Sequence, residues 1–103
     1  MFDVTRYATA AQSIVEAGRF LYDRGWSPAT SSNYSARIDG DHVAITVSGR
    51  HKGQLGAGDV MVVDLHGQAV QSDCRSSAET LLHTVIYQLY SEVGAVLHTH
   101  SVK

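Results

Sequence analysis

The chain has 103 residues, 44% hydrophobic and 17% charged, which is typical of one small globular domain. Its formal net charge is −2 without a basic run or acidic tail, which argues against nucleic acid or an anionic membrane as the main partner. No stretch is apolar enough to cross a bilayer, and the single cysteine, Cys74, excludes an internal disulfide, so a cytoplasmic setting is expected.

The first half of the chain predicts a helix followed by two strands. Apolar residues recur at helical spacing over 4–22, and Gly25 suits the position just past the end of such a helix. Strands are expected at 33–38 and 42–47, joined by a tight turn at Asp39 and Gly40.

The second half predicts two further strands, a helix and a last strand. A buried strand is expected at 60–65 and its return at 68–70. Ser76 and Glu79 have the spacing of a capping box that would begin a second helix, and 95–100 suggests an inner strand. The apolar face of that helix is predicted to comprise Leu81, Leu82, Val85, Ile86, Leu89, Tyr90 and Val93. The order predicts an α/β or α+β layered fold, a mostly antiparallel sheet flanked by helices.

A pair of histidines near the end of the sequence is the first candidate for chemistry. Residues two apart on a strand project to the same face, so His98 and His100 could hold two corners of a tetrahedral zinc site. An isolated His-x-His pair is more often merely hydrogen-bonded. Zinc catalysis usually needs a third protein ligand, and the candidates within the chain are Glu79, His83, His42, His51 and His66. His42 and His66 are expected to be exposed.

Glu79 and His83 lie four apart on the second predicted helix and therefore share a face. Glu79 could be a capping residue, a general base or a metal ligand, and spacing alone favours capping. His83 is more often a packed or supporting histidine than a direct ligand.

Small polar clusters at 30–33, 48–53 and 76–77 could bind phosphate oxygens, or could be ordinary turns and caps. The Gly-x4-Gly-Lys-Ser/Thr spacing of a P-loop and the Gly-x-Ser-x-Gly elbow of serine hydrolases are absent from the sequence.

Five segments, taken in order, resemble successive motifs of the class II aldolase/adducin superfamily. They are SSNYSAR, ITVSGRHKGQL, DVMVVDLHG, SSAETLLHTVIY and GAVLHTHS. Within the superfamily, WSPATSSNYSAR and SSAETLLH are most similar to bacterial dehydratases that act on 5-methylthioribulose 1-phosphate in methionine salvage. The resemblance implies a zinc-dependent hydro-lyase with a class II aldolase-like fold, a small phosphorylated ketose as substrate and a homotetrameric assembly with sites near subunit interfaces.

The resemblance also implies roles for individual residues. His98 and His100 align with two of the three zinc histidines of the superfamily, and Glu79 aligns with the acid/base carboxylate of its aldolases. The extra residue Ala78 shifts the preceding serine pair relative to Glu79 when compared with the aldolases. The positions that correspond to substrate phosphate contacts are Ser32, Asn33, Ser48, Gly49, Ser76 and Ser77.

Members of the superfamily are about twice as long as this sequence. Their third zinc histidine, and a carboxylate implicated as the base in the dehydratases, would lie beyond Lys103. Residues 1–103 are therefore expected to form a single incomplete domain, the N-terminal part of the fold.

Two other functions remain open at this point. A sugar-phosphate aldolase, such as a fuculose-phosphate aldolase, would use the same ligands to cleave a carbon–carbon bond. A non-catalytic adducin-like binding domain would need no zinc, and such domains tend to lose the histidines that this sequence retains.

We predict that residues 1–103 alone bind zinc weakly or not at all and show no turnover, because only two strand ligands are assured. Metal analysis after equilibrium dialysis against Zn²⁺ measures this directly. A tight site with one zinc per chain would contradict the prediction and indicate an internal third ligand such as Glu79.

Overall fold

A computed structural model describes residues 3–24, 33–47, 55–70, 80–90 and 92–98. The secondary structure over these ranges is mixed, with α-helices at both ends of a run of short strands. In the described part of the chain, neither α-helix is long and apolar enough to cross a membrane.

Helix α1 spans Val4–Asp23 and begins at a side-chain cap. The Asp3 carboxylate accepts hydrogen bonds from the backbone N–H groups of Thr5 and Arg6 at 2.9 and 3.1 Å, which satisfies donors that have no partner inside the helix. The predicted helix is confirmed, and its buried residues follow the helical period: Ala10, Ala11, Ile14, Val15, Gly18 and Leu21. The predicted stripe is too long at both ends, because Val4 is 71% and Tyr22 38% exposed.

The strands form one antiparallel sheet with the order β4-β3-β2-β1-β5. The predicted antiparallel sheet is confirmed, and strand boundaries agree to within a few residues. β5, the last described strand, pairs with β1, the first, so segments that are distant in the sequence lie side by side. The strands are β1 Asn33–Arg37, β2 His42–Thr46, β3 Val60–Asp64, β4 Ala69–Val70 and β5 Ala95–His98, with a 3-10 helix at Ala57–Asp59 and helix α2 at Thr80–Leu89.

The two faces of the sheet carry separate apolar clusters, because successive side chains of a strand point to opposite sides. Helix α1 covers the first cluster, whose strand members are Tyr34, Ala36, Ala44, Val60 and Val62. The second cluster lies on the α2 side and comprises Val43, Ile45, Val47, Met61, Val63 and Tyr87. The layers are therefore helix, sheet and helix.

Helix α2 packs on the sheet with a face that the sequence did not predict. Its buried residues are Thr80, His83, Thr84 and Tyr87. The leucines of the predicted apolar face point outward, with Leu81 63% and Leu89 69% exposed. In the described residues most of the predicted apolar face is therefore not the side that contacts the sheet. The strand beneath α2 presents polar side chains, which need hydrogen-bonding partners when buried.

Gly67 lies in the turn between β3 and β4 and has a φ of 84°, a left-handed conformation that side-chain-bearing residues rarely adopt. Its N–H donates to the carbonyl of Asp64 at 3.0 Å. A Cβ at this position would lie 3.0 Å from Cδ2 of Leu81. The turn therefore approaches the first turn of α2 closely, and both the backbone angle and the space favour glycine.

We predict that Gly67→Ala lowers the free energy of unfolding by about 1–2 kcal/mol, from left-handed strain and contact with Leu81. Gly40→Ala is the matched control, because Gly40 also lies in a hairpin turn but a Cβ there meets nothing within 4 Å. The control should change stability by less than about 0.5 kcal/mol. Urea unfolding followed by circular dichroism compares the two, and equal effects would contradict the prediction.

Candidate active site

Strand β1 presents a polar face to helix α2. Asn33, Ser35 and Arg37 alternate with Tyr34 and Ala36, which belong to the cluster under α1. Asn33 is 3% and Ser35 1% exposed, so both polar side chains are buried and need hydrogen-bonding partners within the protein. In the described part of the chain, every buried side-chain nitrogen and oxygen has such a partner.

His83 of α2 lies at the centre of these contacts and is fully buried. Its Nε2 is hydrogen-bonded to Oδ1 of Asn33, and its Nδ1 lies 2.6 Å from Oγ of Ser35. Because an amide oxygen can only accept, Nε2 carries the hydrogen of this bond. In the neutral ring Nδ1 is then an acceptor, and the Ser35 hydroxyl donates to it.

Tyr87, one helical turn after His83, extends the chain of hydrogen bonds. Its hydroxyl lies 2.9 Å from Oγ of Ser35 and donates to it, because the Ser35 hydrogen is directed to His83. Burial raises the pKa of Tyr87 above its ordinary value, although the bond with Ser35, the charge of Arg37 and a bond with the Val96 backbone oppose the shift. Tyr87 therefore stays protonated at neutral pH and keeps its donor.

Arg37 holds the other end of α2. Its Nε donates to the carbonyl of Val93 at 2.9 Å, and its Nη2 donates to the carbonyls of Tyr87 and Tyr90 at 3.0 and 3.2 Å. The guanidinium also lies 4.9 Å from the centre of the Tyr87 ring. A cation at a helix C-terminus satisfies free carbonyls and complements the helix dipole, so β1 fixes both ends of α2.

The end of β5 lies beside the start of β1. His98 is the residue directly opposite Asn33 in the antiparallel register, and opposed residues share a face of the sheet. For His98 only the backbone is described.

Most of the site residues predicted from the sequence lie outside the described residues. These are Ser32, Ser48, Gly49, Ser76, Ser77, Glu79 and His100, together with the alternative ligand His51. Asn33 and the backbone of His98 are described. Over the described ranges, no group of three or more histidine, cysteine or acidic side chains could hold a metal ion.

The remaining histidines of the ligand analysis are placed by the structure. His66 is exposed, as predicted. His42 is not fully exposed, because its Nδ1 lies 2.9 Å from Oδ1 of Asp39 and its side chain is only 16% exposed. His83 is packed rather than open, which agrees with its interpretation as a supporting residue.

The connected set of Asn33, Ser35, His83 and Tyr87, hereafter the polar network, was not recognised from the sequence. Two signals were available. Polar residues occupy alternate positions of β1, and His83 and Tyr87 are spaced four apart on α2. Neither pattern shows that the two sets of residues face each other, because the sets are distant in the sequence. Ser35 and His83, for example, are 48 residues apart.

Comparison with known proteins identifies the fold. The family described as Class II Aldolase and Adducin N-terminal domain matches residues 12–103. The chain belongs to the class II aldolase and adducin family. The fold predicted from the superfamily resemblance is thereby confirmed.

Two relatives in this family carry the same name. A protein of Marinobacter nauticus named methylthioribulose-1-phosphate dehydratase is 98% identical over 103 residues, which are 100% of this chain and 50% of the relative. A protein of Hahella chejuensis with that name is 70% identical over 99% of this chain and 49% of its own length. The chain thus spans about half the length of the relatives it matches.

A solved class II structure has the same arrangement of elements. The structure of L-fuculose-1-phosphate aldolase from Thermus thermophilus superposes with a TM-score of 0.75 at 28% identity. The match covers 88% of this chain and 46% of the aldolase. The layered sheet described above therefore corresponds to about half of the aldolase structure.

The raised pKa of Tyr87 has a consequence for stability. A tyrosine that is harder to ionise when folded contributes stability below about pH 10, and this contribution is lost as the pH rises through its folded pKa. We predict that Tyr87→Phe costs about 1 kcal/mol at pH 7 and makes the loss of stability above about pH 10 less steep.

Tyr90→Phe is the control for this change, because Tyr90 directly follows the same helix and its side chain is exposed. It should alter the free energy of unfolding by less than about 0.5 kcal/mol. The free energy of unfolding of both variants is measured with denaturant at about pH 7, 9, 10 and 11, which bracket the ordinary pKa of tyrosine. An unchanged alkaline slope in Tyr87→Phe would contradict the prediction.

Proposed function

We propose that the protein to which this chain belongs removes water from 5-methylthioribulose 1-phosphate, giving 2,3-diketo-5-methylthiopentyl 1-phosphate, as a step of methionine salvage. The observation that carries the proposal is the 98% identity, over the whole chain, to the Marinobacter nauticus protein named methylthioribulose-1-phosphate dehydratase. At this identity the two chains share nearly every side chain of the covered half.

The fold supports this proposal because the candidate residues adjoin, in sequence, strand ends that lie at the same end of the sheet. In the antiparallel sheet, the start of β1 lies beside the end of β2 and the end of β5, at one end of the sheet. Ser32 precedes β1, Ser48 and Gly49 follow the last described residue after β2, and His100 follows β5. Helix α2 begins one residue after Glu79 and contacts the start of β1 through His83 and Asn33.

We propose zinc as the cofactor, one ion per subunit. Imidazole is a preferred zinc ligand, and His98 and His100 would supply two from one strand, with a third histidine contributed from outside residues 1–103. The proposal is supported by the register, in which the backbone of His98 lies directly opposite Asn33. Bound there, the metal would supply Lewis acidity that favours charge development on the substrate oxygens.

The residues of this chain would bind the substrate and move a proton. Dehydration requires removal of the proton from the carbon between the ketone and the leaving hydroxyl, departure of that hydroxyl as water, and ketonisation of the resulting enol. We propose that the Glu79 carboxylate transfers a proton in this sequence. The substrate phosphate would be held by hydroxyls, the Asn33 amide and backbone N–H groups, which orients the reacting carbons. The proposed contacts are Ser32, Asn33, Ser48, Gly49, Ser76 and Ser77.

A second candidate is cleavage of a carbon–carbon bond in a sugar phosphate. The 28% identity to the Thermus thermophilus aldolase over 88% of the chain favours it as an alternative. The proposed metal and phosphate residues would serve both reactions, so substrate choice must separate them. A non-catalytic, adducin-like role is less well supported, because the chain retains both His98 and His100. In either enzyme we propose a homotetramer in the cytoplasm.

The proposal is tested with a completed enzyme, defined as residues 1–103 fused to the part of the Marinobacter nauticus relative that this chain does not cover. We predict turnover of 5-methylthioribulose 1-phosphate, loss of activity after chelation, and recovery with Zn²⁺. Glu79→Gln should lower kcat by about 100-fold or more, the usual size of a lost general acid or base.

Glu92→Gln is the matched control, since Glu92 is an exposed carboxylate after the same helix, and it should leave kcat within about twofold. Product analysis separates the candidates. Cleavage of fuculose 1-phosphate to dihydroxyacetone phosphate, without formation of the diketone, would refute the dehydratase assignment. A folded protein that is metal-free and inactive on both substrates would instead support the binding domain.

A further inference from the structure

His83 is fully buried and uses both ring nitrogens, yet no step of the proposed reaction employs it. We infer that His83 is a positioning residue that fixes the orientation of the Asn33 side-chain amide for binding the substrate phosphate. The inference rests on the proposed phosphate role of Asn33 and adds a residue that would not touch the substrate.

The two ends of the Asn33 amide differ in what they can bind. The Oδ1 end is an acceptor and repels a phosphate oxygen, whereas the Nδ2 end is a donor and attracts it. A rotation of the terminal torsion by half a turn exchanges the two ends with little change in shape. Phosphate affinity therefore depends on which end is held toward the protein.

The His83 contact decides this orientation. Nε2–H of His83 donates to Oδ1 of Asn33, so the oxygen end is held against α2 and the nitrogen end is turned away from the imidazole. With the hydrogen on Nε2, a reversed amide would place its N–H2 group against this donor and lose the bond. Inside a buried site such a loss is costly, so the reversed state is suppressed.

The rest of the polar network holds the imidazole itself. Nδ1 is bonded to the Ser35 hydroxyl at 2.6 Å, and Ser35 is bonded to the Tyr87 hydroxyl at 2.9 Å. A flip of the ring would exchange donor and acceptor at both contacts. With the Asn33 oxygen at Nε2 and a neutral ring, the hydrogen bonds run from Tyr87 to Ser35 to His83 to Asn33, so reversing the amide would require every bond in this order to reverse.

A matched pair of substitutions separates positioning from bulk stability. The terminal amide of Gln reaches about as far as Nε2, so His83→Gln can still donate to Asn33. The amide of Asn ends about where Nδ1 lies, so His83→Asn can meet Ser35 but cannot reach Asn33. Both variants remove the ring and leave an amide in the same buried position.

The variants are made in the completed enzyme, and inorganic phosphate is titrated by calorimetry beside steady-state kinetics. His83→Asn should raise the Kd for phosphate and the KM for the phosphorylated substrate about three- to tenfold, with kcat within about threefold. His83→Gln keeps the bond to Asn33 but loses the one to Ser35, so it should raise both constants less than His83→Asn does, by at most about threefold. In an Asn33→Ala background, His83→Asn should have no further effect on the phosphate Kd.

Equal effects of the two variants, or an effect of His83→Asn that persists without the Asn33 amide, would overturn the inference and leave His83 a packing residue. Ser35→Ala is measured as well, in case His83→Asn does not fold, because it releases the ring from the other nitrogen. It should raise the phosphate Kd about two- to fivefold, and an unchanged Kd would equally overturn the inference.

The phosphate titration also keeps this inference separate from the proposed reaction. If the unsubstituted completed enzyme binds phosphate but does not turn over 5-methylthioribulose 1-phosphate, the dehydratase assignment fails while the role of His83 is still tested. If it turns over the substrate and the His83 variants do not differ, only the positioning role fails.

Discussion

The hydrogen bonds between strand β1 and helix α2 are the constraint on which the rest of this half-fold depends. Ser35 and His83 are buried polar groups that would each destabilise the fold if left unpaired. Pairing them requires one placement of α2 on the sheet, because a shift by one residue would move His83 away from Ser35. The apolar residues around them, such as Ile45 and Val63, then exclude water from the network and strengthen its bonds.

This constraint explains why α2 packs by its polar side. The helix has an apolar stripe, but the strand beneath it offers hydroxyl, amide and guanidinium groups, and Arg37 binds three carbonyls at the end of the helix. The leucines remain on the outer side, with Leu81 also packed near the turn at Gly67.

The same constraint connects the fold to the proposed chemistry. Asn33 is at once the first residue of β1, the partner of His83 and the residue opposite His98 on β5. A rigid contact at this position holds the start of one strand, the end of another and the first turns of α2 together. Sites built on such fixed elements keep their geometry better than sites on isolated loops.

Local patterns in the sequence were sufficient for the parts of the fold that local physics controls. The helical period of Ile14, Val15 and Gly18 indicated the buried side of α1, and the turn residues Asp39 and Gly40 indicated the first hairpin. The superfamily motifs indicated the family and the candidate residues. The side of α2 that contacts the sheet was not indicated, because hydrophobic periodicity ranks apolar faces and carries no information about a polar partner elsewhere in the chain.

The sequence by itself thus determined the element types, the antiparallel character of the sheet, the family and the residues proposed for zinc and phosphate. Only the tertiary structure decided that β5 lies beside β1, that His98 is opposite Asn33, and that His83 joins Asn33 to Ser35. The physical reason is that these relations join residues about 50 to 65 positions apart in the chain. Propensity and spacing act within a few residues, whereas pairing of buried polar groups is settled only when distant segments meet.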